Sequence, residues 1–322
     1  MKRTNLNLSI NSIDDLMRCI GLASLLELAG WPKPGNVHRT KNFETTRYEH
    51  FLVGIIAIQP NFRSFCERIF QLSFDNDNVY KEIRLGLFFK DTVKEMIRWQ
   101  SGGNVLLGHI LILAPLAAAV ITCLKTNKTN IIDLKDYLNR IIHESTSDDT
   151  IDMYRAIRLC NPGGLGKVKK YDLNDKNALR DIKADNINLH RIFELSKEYD
   201  LISSEYSTGF NIILAEGLAY YLNAYTQYRD LNIATVHTFL YLLSLHPDTL
   251  IIRKSGLNYA QYVSDSALKI LQKGGISSTE GLKLTLQLDN ELQEKKGKLN
   301  PGTTADLIAG IIFCALVFGL RF

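Results

Sequence analysis

Residues 105–124 read VLLGHILILAPLAAAVITCL, and this apolar stretch decides the fold class. A run of about 20 apolar residues is long enough to span a bilayer. His109 and Pro115 interrupt it, however, and neither an aromatic belt nor a basic flank on one side accompanies it. The mean hydropathy of the chain is −0.05, and the neighbouring segments are amphipathic, which favours a helix buried on all sides in a large helical domain. A membrane-embedded helical protein is the alternative.

Helical periodicity continues on both sides of this stretch. Ser12 is placed to cap a helix over residues 12–29, in which apolar residues recur every three or four positions. Similar patterns predict helices over residues 47–58, 61–72, 78–99, 133–143, 148–159, 189–198, 205–225, 233–245, 259–272 and 278–294, and from residue 303 to the C-terminus. Pro60 is expected to separate two of them, and residues 161–186 to form a long loop. Without sustained strand patterns or βαβ spacing, the sequence predicts an all-α fold, one large multi-helix domain over residues 1–322 with buried central helices.

The charge balance of the chain excludes one class of partner. Its 322 residues carry 38 Lys and Arg against 34 Asp and Glu, a net charge of +4, with no long basic run. A protein that binds nucleic acid by charge alone is therefore not expected. The five cysteines are odd in number, widely spaced and without a Cys-x-x-Cys pair, which predicts buried thiols in a reducing compartment. No apolar segment follows the basic start of the chain, so a cytoplasmic location is expected.

Glycine- and proline-rich joints stand beside acidic or amide residues at four places, and several of them immediately precede a helix. They are Glu27 with Pro32-Lys33-Pro34-Gly35-Asn36, then Gly102-Gly103-Asn104, Asn161-Pro162-Gly163-Gly164, and Asn300-Pro301-Gly302-Thr303-Thr304-Ala305-Asp306. A glycine-rich turn that enters a helix presents free backbone N–H groups and the positive end of the helix dipole, which suits phosphate. Lys33 could add a positive charge, and Thr303 or Thr304 could bind phosphate or cap the last helix. A Gly-Gly pair taken singly is more often an ordinary turn.

Carboxylates at or near these joints are candidates for metal binding or proton transfer. Glu27 lies in the last turn of the first helix, four residues after Ala23 on the apolar face, where a carboxylate costs free energy unless it has a partner. Asp306 falls in the first turn of the last helix, where an acidic residue more often serves the helix dipole. Asp149 is expected to cap a helix, with a role as a second metal carboxylate left open. Oxygen ligands of this kind suit Mg²⁺, which often bridges to substrate phosphates.

In this order, the joints resemble the triphosphoribosyl-dephospho-CoA synthase family, which serves citrate and malonate decarboxylating systems. That family has an acidic residue followed by Pro-Lys-Pro-Gly, then Gly-Gly before a buried helix, then Asn-Pro-Gly with two small residues and Ala-Asp. The matching residues here are Glu27 with residues 32–35, Gly102-Gly103, and residues 300–306. Gly163-Gly164-Leu165-Gly166 and His246-Pro247-Asp248-Thr249 resemble a divergent, largely archaeal branch. The resemblance spans nearly the whole chain.

The resemblance implies an all-helical enzyme that uses ATP and Mg²⁺. Its reaction joins the ribose 2′-hydroxyl of 3′-dephospho-CoA to C1′ of the ATP ribose and releases adenine, which transfers the 5-triphosphoribosyl group. For such a glycosyl transfer, Glu27 and Asp306 are the candidates for the base or the Mg²⁺ ligand, with Asp149 a further metal candidate. The candidates for nucleotide binding are Lys33, Pro34, Gly35, Asn36, Gly102, Gly103, Asn104, Gly163, Gly164, Asn300, Gly302, Thr303 and Thr304.

The chain departs from the family pattern at two points. Residues 104–108 lack the Thr-His-Lys-Gly stretch of the bacterial members, and His38 stands where they usually have Asp. The acceptor therefore stays open, and one alternative is (tri)phosphoribosyl transfer to another cofactor precursor, such as a pterin-type compound. A non-catalytic helical nucleotide-binding protein is the other alternative, and a homodimer is compatible with the sequence. Four histidines read as isolated core or surface residues: His143, His190, His237 and His246.

Overall fold

The computed structural model describes residues 6–161 and 170–322. Helices make up 72% of the chain. The described residues contain no strand, and their only β-type contacts are two isolated bridges, between Asn7 and Asn130 and between His38 and Lys41. The predicted all-α fold is confirmed. Gly163 and Gly164, predicted as nucleotide-binding residues, lie outside the described residues.

Fifteen α-helices follow one another along the described residues. They are α1 (Ile13–Ala29), α2 (Tyr48–Gln71), α3 (Leu85–Trp99), α4 (Leu107–Thr126), α5 (Ile131–His143), α6 (Ser147–Cys160), α7 (Ala178–Ala184), α8 (Leu189–Glu194), α9 (Leu201–Thr208), α10 (Leu218–Tyr228), α11 (Leu231–Leu245), α12 (Thr249–Ser255), α13 (Leu257–Gln272), α14 (Thr279–Glu294) and α15 (Gly302–Val317). Two 3-10 segments, Asp77–Ile83 and Gly275–Ser277, precede α3 and α14, and a π-helix, Ile212–Gly217, leads into α10.

Helix α4 lies at the centre because its sequence is apolar on every face. It packs against α1, α2, α3, α5 and α15, and almost all of its residues are buried. Among the described residues, it is the one helix whose length and composition would allow it to cross a membrane. Because 89% of that segment is buried against other helices, α4 is the buried central helix that the sequence predicts.

Helices α4 and α15 lie side by side and run in the same direction. A Cβ added to Gly108 would lie 1.9 Å from Asp306 Oδ2, and one added to Gly310 would lie 2.7 Å from Ile112 Cγ2. In each helix the second residue lies about one turn after the first, so the contacts follow the same order and the helices are parallel. Their first turns therefore lie at the same end of the molecule, one just after the joint at residues 102–104 and the other within the joint at residues 300–306.

Helix α2 passes through Pro60, so the prediction that this proline separates two helices is wrong. Proline disfavours a helix interior because it lacks an N–H and crowds the carbonyl four residues earlier. Here Pro60 is on the exposed side, while Ile58 and Phe62 continue the buried apolar face across it. Next to the proline, the side-chain amide of Gln59 donates a hydrogen bond to the main-chain oxygen of Ile55 at 3.1 Å. Packing of the continuous apolar face outweighs the local cost of the proline.

The single helix predicted over residues 205–225 is also wrong, because the chain is interrupted there. Helix α9 ends at Gly209, whose φ is +69°, and the π-helix follows. Glu205, fully buried, accepts the N–H groups of Ile212 and Ile213 at 2.8 and 2.9 Å. Ile212 and Ile213 begin a new helical segment, and the first N–H groups of such a segment have no carbonyl partner within it. The carboxylate therefore stabilises a break that apolar periodicity alone does not reveal.

Burial of Glu205 has a consequence for stability. It raises the pKa of this carboxyl from 4.5 to about 7, and the charge of Glu216 adds to the effect while the two N–H groups oppose it. A pKa that is higher in the folded state gives stability that is complete below the unfolded pKa and is lost as pH rises through the folded pKa.

We therefore expect the wild type to lose up to about 3 kcal/mol of unfolding free energy between pH 5 and pH 8.5, relative to Glu205→Gln. Urea denaturation of both proteins at the two pH values measures this difference. Glu44→Gln, at an exposed position, is the control and should follow the wild type. Parallel behaviour of the wild type and Glu205→Gln would contradict a raised pKa at Glu205.

Candidate functional site

Two of the predicted joints meet at the end of the molecule where α1 stops and α4 and α15 begin. His109, in the first turn of α4, lies between the two candidate carboxylates. Its Nε2 is 3.4 Å from Glu27 Oε2, and its Nδ1 is 3.8 Å from Asp306 Oδ1. The side chains of Glu27 and His109 are each 3% exposed, whereas that of Asp306 is 22% exposed. The cluster therefore opens to solvent at Asp306.

Lys33 neutralises the buried charge of Glu27. Its ammonium group contacts Glu27 Oε1 and also donates to the main-chain carbonyl of Glu27 at 2.7 Å. Burial alone would raise the pKa of Glu27, but the charge of Lys33, with a smaller effect of His109, brings it below the ordinary value. Glu27 is therefore ionised. Lys33, a predicted phosphate ligand, is 1% exposed and uses its charge on a protein carboxylate.

Asp289, in α14, fixes the loop that carries Lys33. Its Oδ1 accepts the N–H of Gly35 at 3.0 Å, and its Oδ2 is 3.0 Å from His38 Nε2. Because an ionised carboxylate only accepts hydrogen bonds, His38 Nε2 carries the proton. Gly35 has a φ of +74°, and an added Cβ would lie 2.8 Å from the carbonyl oxygen of Leu299, so glycine is required there. The loop is held from both its backbone and its side chains.

Two other predicted residues of this loop are buried within it. Pro34 and Asn36 are both buried. Asn36 accepts a hydrogen bond at its main-chain oxygen from Gln293 of α14, at 2.7 Å. His38, which departs from the family pattern, is held by the carboxylate of Asp289, which also belongs to α14. These residues shape the loop and leave little of it in contact with solvent.

Asp248 caps two helices at once. Its Oδ1 accepts the N–H groups of Leu250 and Ile251 in α12, and its Oδ2 accepts both the N–H and the hydroxyl of Thr304, at 2.7 and 2.8 Å. Thr249 donates its hydroxyl to that of Thr303 at 3.3 Å. The hydroxyls of Thr303 and Thr304 and the N–H of Thr304 thus have protein partners. Asp248 and Thr249 instead hold the first turn of α15, and Asp306 with it, in place.

Asp306 is the least compensated carboxyl of the cluster. Burial raises its pKa to about 7, and the charges of Glu27 and Asp248 add to the rise, while His109 and Lys33 oppose it. Its carboxylate packs directly against the backbone of Gly108, where any side chain would collide with it. Two carboxyls of one site thus have pKa values displaced in opposite directions. Such a separation is typical of sites that carry out acid–base chemistry.

The residues predicted to bind metal do not form a cage. Within residues 6–161 and 170–322, no group of three or more His, Cys, Asp and Glu side chains could hold a metal ion. Glu27 already has Lys33 as its cation. Asp149 lies where α3 meets α6, closes a capping box with Thr146 and accepts the N–H of Gly86 at 3.0 Å. The structure therefore does not bring Asp149 to Glu27 and Asp306, and the three predicted ligands do not form one site.

The remaining predicted residues lie at the entries to α4 and α15. Gly102 is buried, and an added Cβ would lie 2.2 Å from His50 Nδ1, whereas Gly103 is exposed with a φ of +77°. Asn104 accepts the N–H of Leu107 at 3.1 Å and so caps the first turn of α4. Asn300 lies just before α15, which begins at Gly302. Its buried Oδ1 has no hydrogen-bond partner in the part of the chain that the structure describes.

Three residues of the site were missed from the sequence: His109, Asp248 and Asp289. His109 had a usable signal, because a histidine inside an otherwise apolar helix must find polar partners or leave its nitrogens unsatisfied. At 3.4 and 3.8 Å from the carboxylates, neither ring nitrogen makes a hydrogen bond within the described residues. Asp248 stood in the His246-Pro247-Asp248-Thr249 motif, but neither its contact with Thr304 nor that of Asp289 with His38 could be predicted, since these partners are distant in sequence.

Residues 13–321 match the family described as ATP:dephospho-CoA triphosphoribosyl transferase. A 2-(5″-triphosphoribosyl)-3′-dephosphocoenzyme-A synthase of Escherichia fergusonii is 31% identical over 105 residues, 33% of this chain and 34% of that protein. A protein of Vibrio cholerae with the same name, marked as probable, is 26% identical over 296 residues, 89% of this chain and 83% of that protein.

A crystal structure gives a comparison of the fold. A protein of Archaeoglobus fulgidus, provisionally assigned as a triphosphoribosyl-dephospho-CoA synthase, matches with a TM-score of 0.64 and 28% identity. The match covers 85% of this chain and 100% of that chain. The chain spans about a third of the length, 34%, of several curated relatives, the Escherichia fergusonii protein among them. Their whole activity is therefore carried over below only as a proposal.

The ion pair between Lys33 and Glu27 generates a stability prediction. Lys33→Met leaves a buried carboxylate without its cation, and we expect the unfolding free energy at pH 8 to fall by about 3–5 kcal/mol. The loss should shrink at pH 5, because an unpaired buried Glu27 would have a raised pKa and become protonated. The double variant Lys33→Met/Glu27→Gln should recover most of the stability.

Urea denaturation of the three proteins measures these differences. Lys90→Met removes a more exposed pair, with Asp152, and serves as the matched control, with an expected loss of at most about 1 kcal/mol. Equal destabilisation of the single and the double variant would show that the charge of Glu27 does not require Lys33.

Proposed function

Because the chain belongs to the ATP:dephospho-CoA triphosphoribosyl transferase family, we propose that it transfers the 5-triphosphoribosyl group of ATP to the ribose 2′-hydroxyl of 3′-dephospho-CoA. In this reaction the bond between C1′ and adenine breaks, a bond between C1′ and the acceptor oxygen forms, and the hydroxyl proton is matched by a proton that adenine gains. The observation that supports this chemistry is the pair of carboxyls, Glu27 and Asp306, on either side of His109.

The two carboxyls suit different parts of a glycosyl transfer. Glu27, kept ionised beside Lys33, supplies a fixed negative charge that favours the oxocarbenium-like state of the ribose. Asp306, with a pKa of about 7, can both give and take a proton near neutral pH, and it is the carboxyl that solvent reaches. Protonation of the departing adenine is the role that this combination favours for Asp306. His109 lies between the two carboxyls and lowers the pKa of both, so the difference between them comes from Lys33 beside Glu27 and from the burial of Asp306.

We expect Mg²⁺ to arrive with the nucleotide, as MgATP. Mg²⁺ retains several waters and is usually held through substrate phosphates with few protein ligands, and that matches a site whose described residues offer no metal cage. The triphosphate remains intact in the proposed product, because the reaction takes place at C1′. We also expect the protein to act in the cytoplasm, and its five cysteines, all free and buried, fit a reducing compartment.

The assay of choice follows free adenine by chromatography after incubation with MgATP and 3′-dephospho-CoA. We expect adenine release that requires both substrates, and a fall in kcat of about 10²- to 10⁴-fold in Asp306→Asn, as is typical for loss of a general acid. Glu27→Gln is expected to lower kcat as well. Asp136→Asn, at an exposed position of α5, is the matched control and should retain the wild-type rate.

The other outcomes distinguish the alternatives. Adenine release only with a different acceptor, such as a pterin-type compound, would contradict the dephospho-CoA assignment and support the related transfer. ATP binding without adenine release under any condition would favour a non-catalytic nucleotide-binding protein. Full activity of both Asp306→Asn and Glu27→Gln would show that the site assignment is wrong.

A further inference from the structure

Capping accounts for only half of the His246-Pro247-Asp248-Thr249 motif. Asp248 and Thr249 hold the start of α15, whereas His246 turns to Glu216 of the π-helix. His246 Nε2 lies 3.1 and 3.2 Å from the two carboxylate oxygens of Glu216. The side chains of His246 and Glu216 are 27% and 24% exposed. His246, which the sequence suggests is isolated, thus forms a carboxylate–imidazole pair that solvent can reach, two residues before the cap of α15.

The partner of Nε2 decides which nitrogen of His246 is free to act. Because an ionised carboxylate only accepts hydrogen bonds, Nε2 carries a proton and donates it to Glu216. Nδ1 then has the free lone pair, and it makes no hydrogen bond to any residue in the described ranges. A carboxylate that holds one imidazole nitrogen fixes the ring and stabilises the positive charge that forms when the other nitrogen takes a proton.

The π-helix brings Glu216 to this position. Its residues pack on α15 just after Asp306: Ile213 lies against Gly310, and Gly217 lies against Ile311. π-helical turns are rare in proteins, and those that occur are often found at functional sites. This one depends on the buried carboxylate of Glu205, whose two hydrogen bonds hold its start. Helix α15 therefore carries Asp306 and, about one turn later, packs against the segment that presents Glu216.

Neither carboxyl of the main cluster is a free base for the acceptor. One oxygen of Glu27 is engaged by Lys33 and the other faces His109. Asp306 is the group favoured for protonating adenine, so a second group is needed to take the hydroxyl proton at the same time. Two further carboxyls are linked to the His246–Glu216 pair. The charge of Glu216 raises the pKa of Glu205, and Asp248 lies two residues after His246. Both are fully buried and hydrogen-bonded to protein. His109 of the main cluster has unpaired nitrogens, but its side chain is only 3% exposed, whereas that of His246 is 27% exposed. His246 is therefore the more accessible proton acceptor.

We propose that His246, oriented by Glu216, is the general base that takes the proton of the acceptor hydroxyl. This inference rests on the proposed function. As Nδ1 takes the proton, the hydroxyl oxygen forms its bond to C1′, the electron pair of the C1′–adenine bond leaves with adenine, and adenine gains a proton. The imidazolium of His246 then gives its proton to solvent and returns to the neutral form. Glu216 is a positioning residue, since it acts through the imidazole.

The test compares His246→Gln, His246→Ala and Glu216→Gln in the adenine-release assay with MgATP and 3′-dephospho-CoA. We expect His246→Gln to lower kcat by about 10²- to 10⁴-fold, the range for loss of a general base, with the KM for MgATP unchanged within about threefold. Glu216→Gln should lower kcat less, by about 10- to 100-fold. Added imidazole should restore part of the activity of His246→Ala. His143→Gln, which changes an exposed histidine of α5, is the matched control.

The outcomes separate this inference from the proposed function. If the wild type releases no adenine, the proposed function fails. If the wild type is active and His246→Gln keeps its kcat within threefold, the inference is overturned and the proposed function stands. A loss of activity in His246→Ala that imidazole does not restore, in a protein that melts at the wild-type temperature, would also overturn it, because His246 would then act only through structure.

Discussion

The carboxylate of Glu27 is buried inside a helical bundle, and much of the arrangement around it follows from the free energy needed to bury that charge. An isolated charge in such a place is strongly unfavourable, so Lys33 must reach it. Lys33 can do so only from a loop of fixed shape, which Asp289 and Gly35 provide. A buried ion pair is seldom more stable than an apolar pair of similar volume. Its presence beside His109 is therefore better explained by chemistry than by stability.

The direction of the helices places the rest of the site around this pair. Helices α4 and α15 are parallel, so their first turns bring His109 and Asp306 to the end where α1 finishes with Glu27. Unequal surroundings then move the pKa values of the two carboxyls apart, since Glu27 is paired with the ammonium group of Lys33 and Asp306 has no such partner. The result is one charged and one readily protonated carboxyl within a single cluster. The family match and this electrostatic difference point to the same proposed transfer at a glycosidic carbon.

The sequence was informative where the signal was local. The apolar stretch predicts the central helix, and a carboxylate on an apolar face marks Glu27. Contacts between segments that are distant in sequence could not be predicted. His38 and Asp289 are 251 residues apart, and Asp248 and Thr304 are 56 apart. For the same reason, the sequence predicts phosphate ligands at Lys33, Thr303 and Thr304 but does not show that their side chains contact other protein groups. The predicted helix bounds were wrong at two places. At Pro60, packing of the apolar face outweighs the local cost of the proline, and before the π-helix the carboxylate of Glu205 stabilises a break that the apolar pattern does not show.

In the proposed reaction, the breaking bond of the nucleotide lies at one end of the bundle, beside Asp306 and Gly108. The most direct measurement is a crystal structure of the protein with MgATP and an unreactive analogue of the acceptor. We expect the ribose C1′ to lie against Asp306, with the acceptor oxygen on the side of His246. A nucleotide bound instead in the surface hollow lined by Asn11, Asp14 and Arg63, at the opposite end of α1, would contradict it.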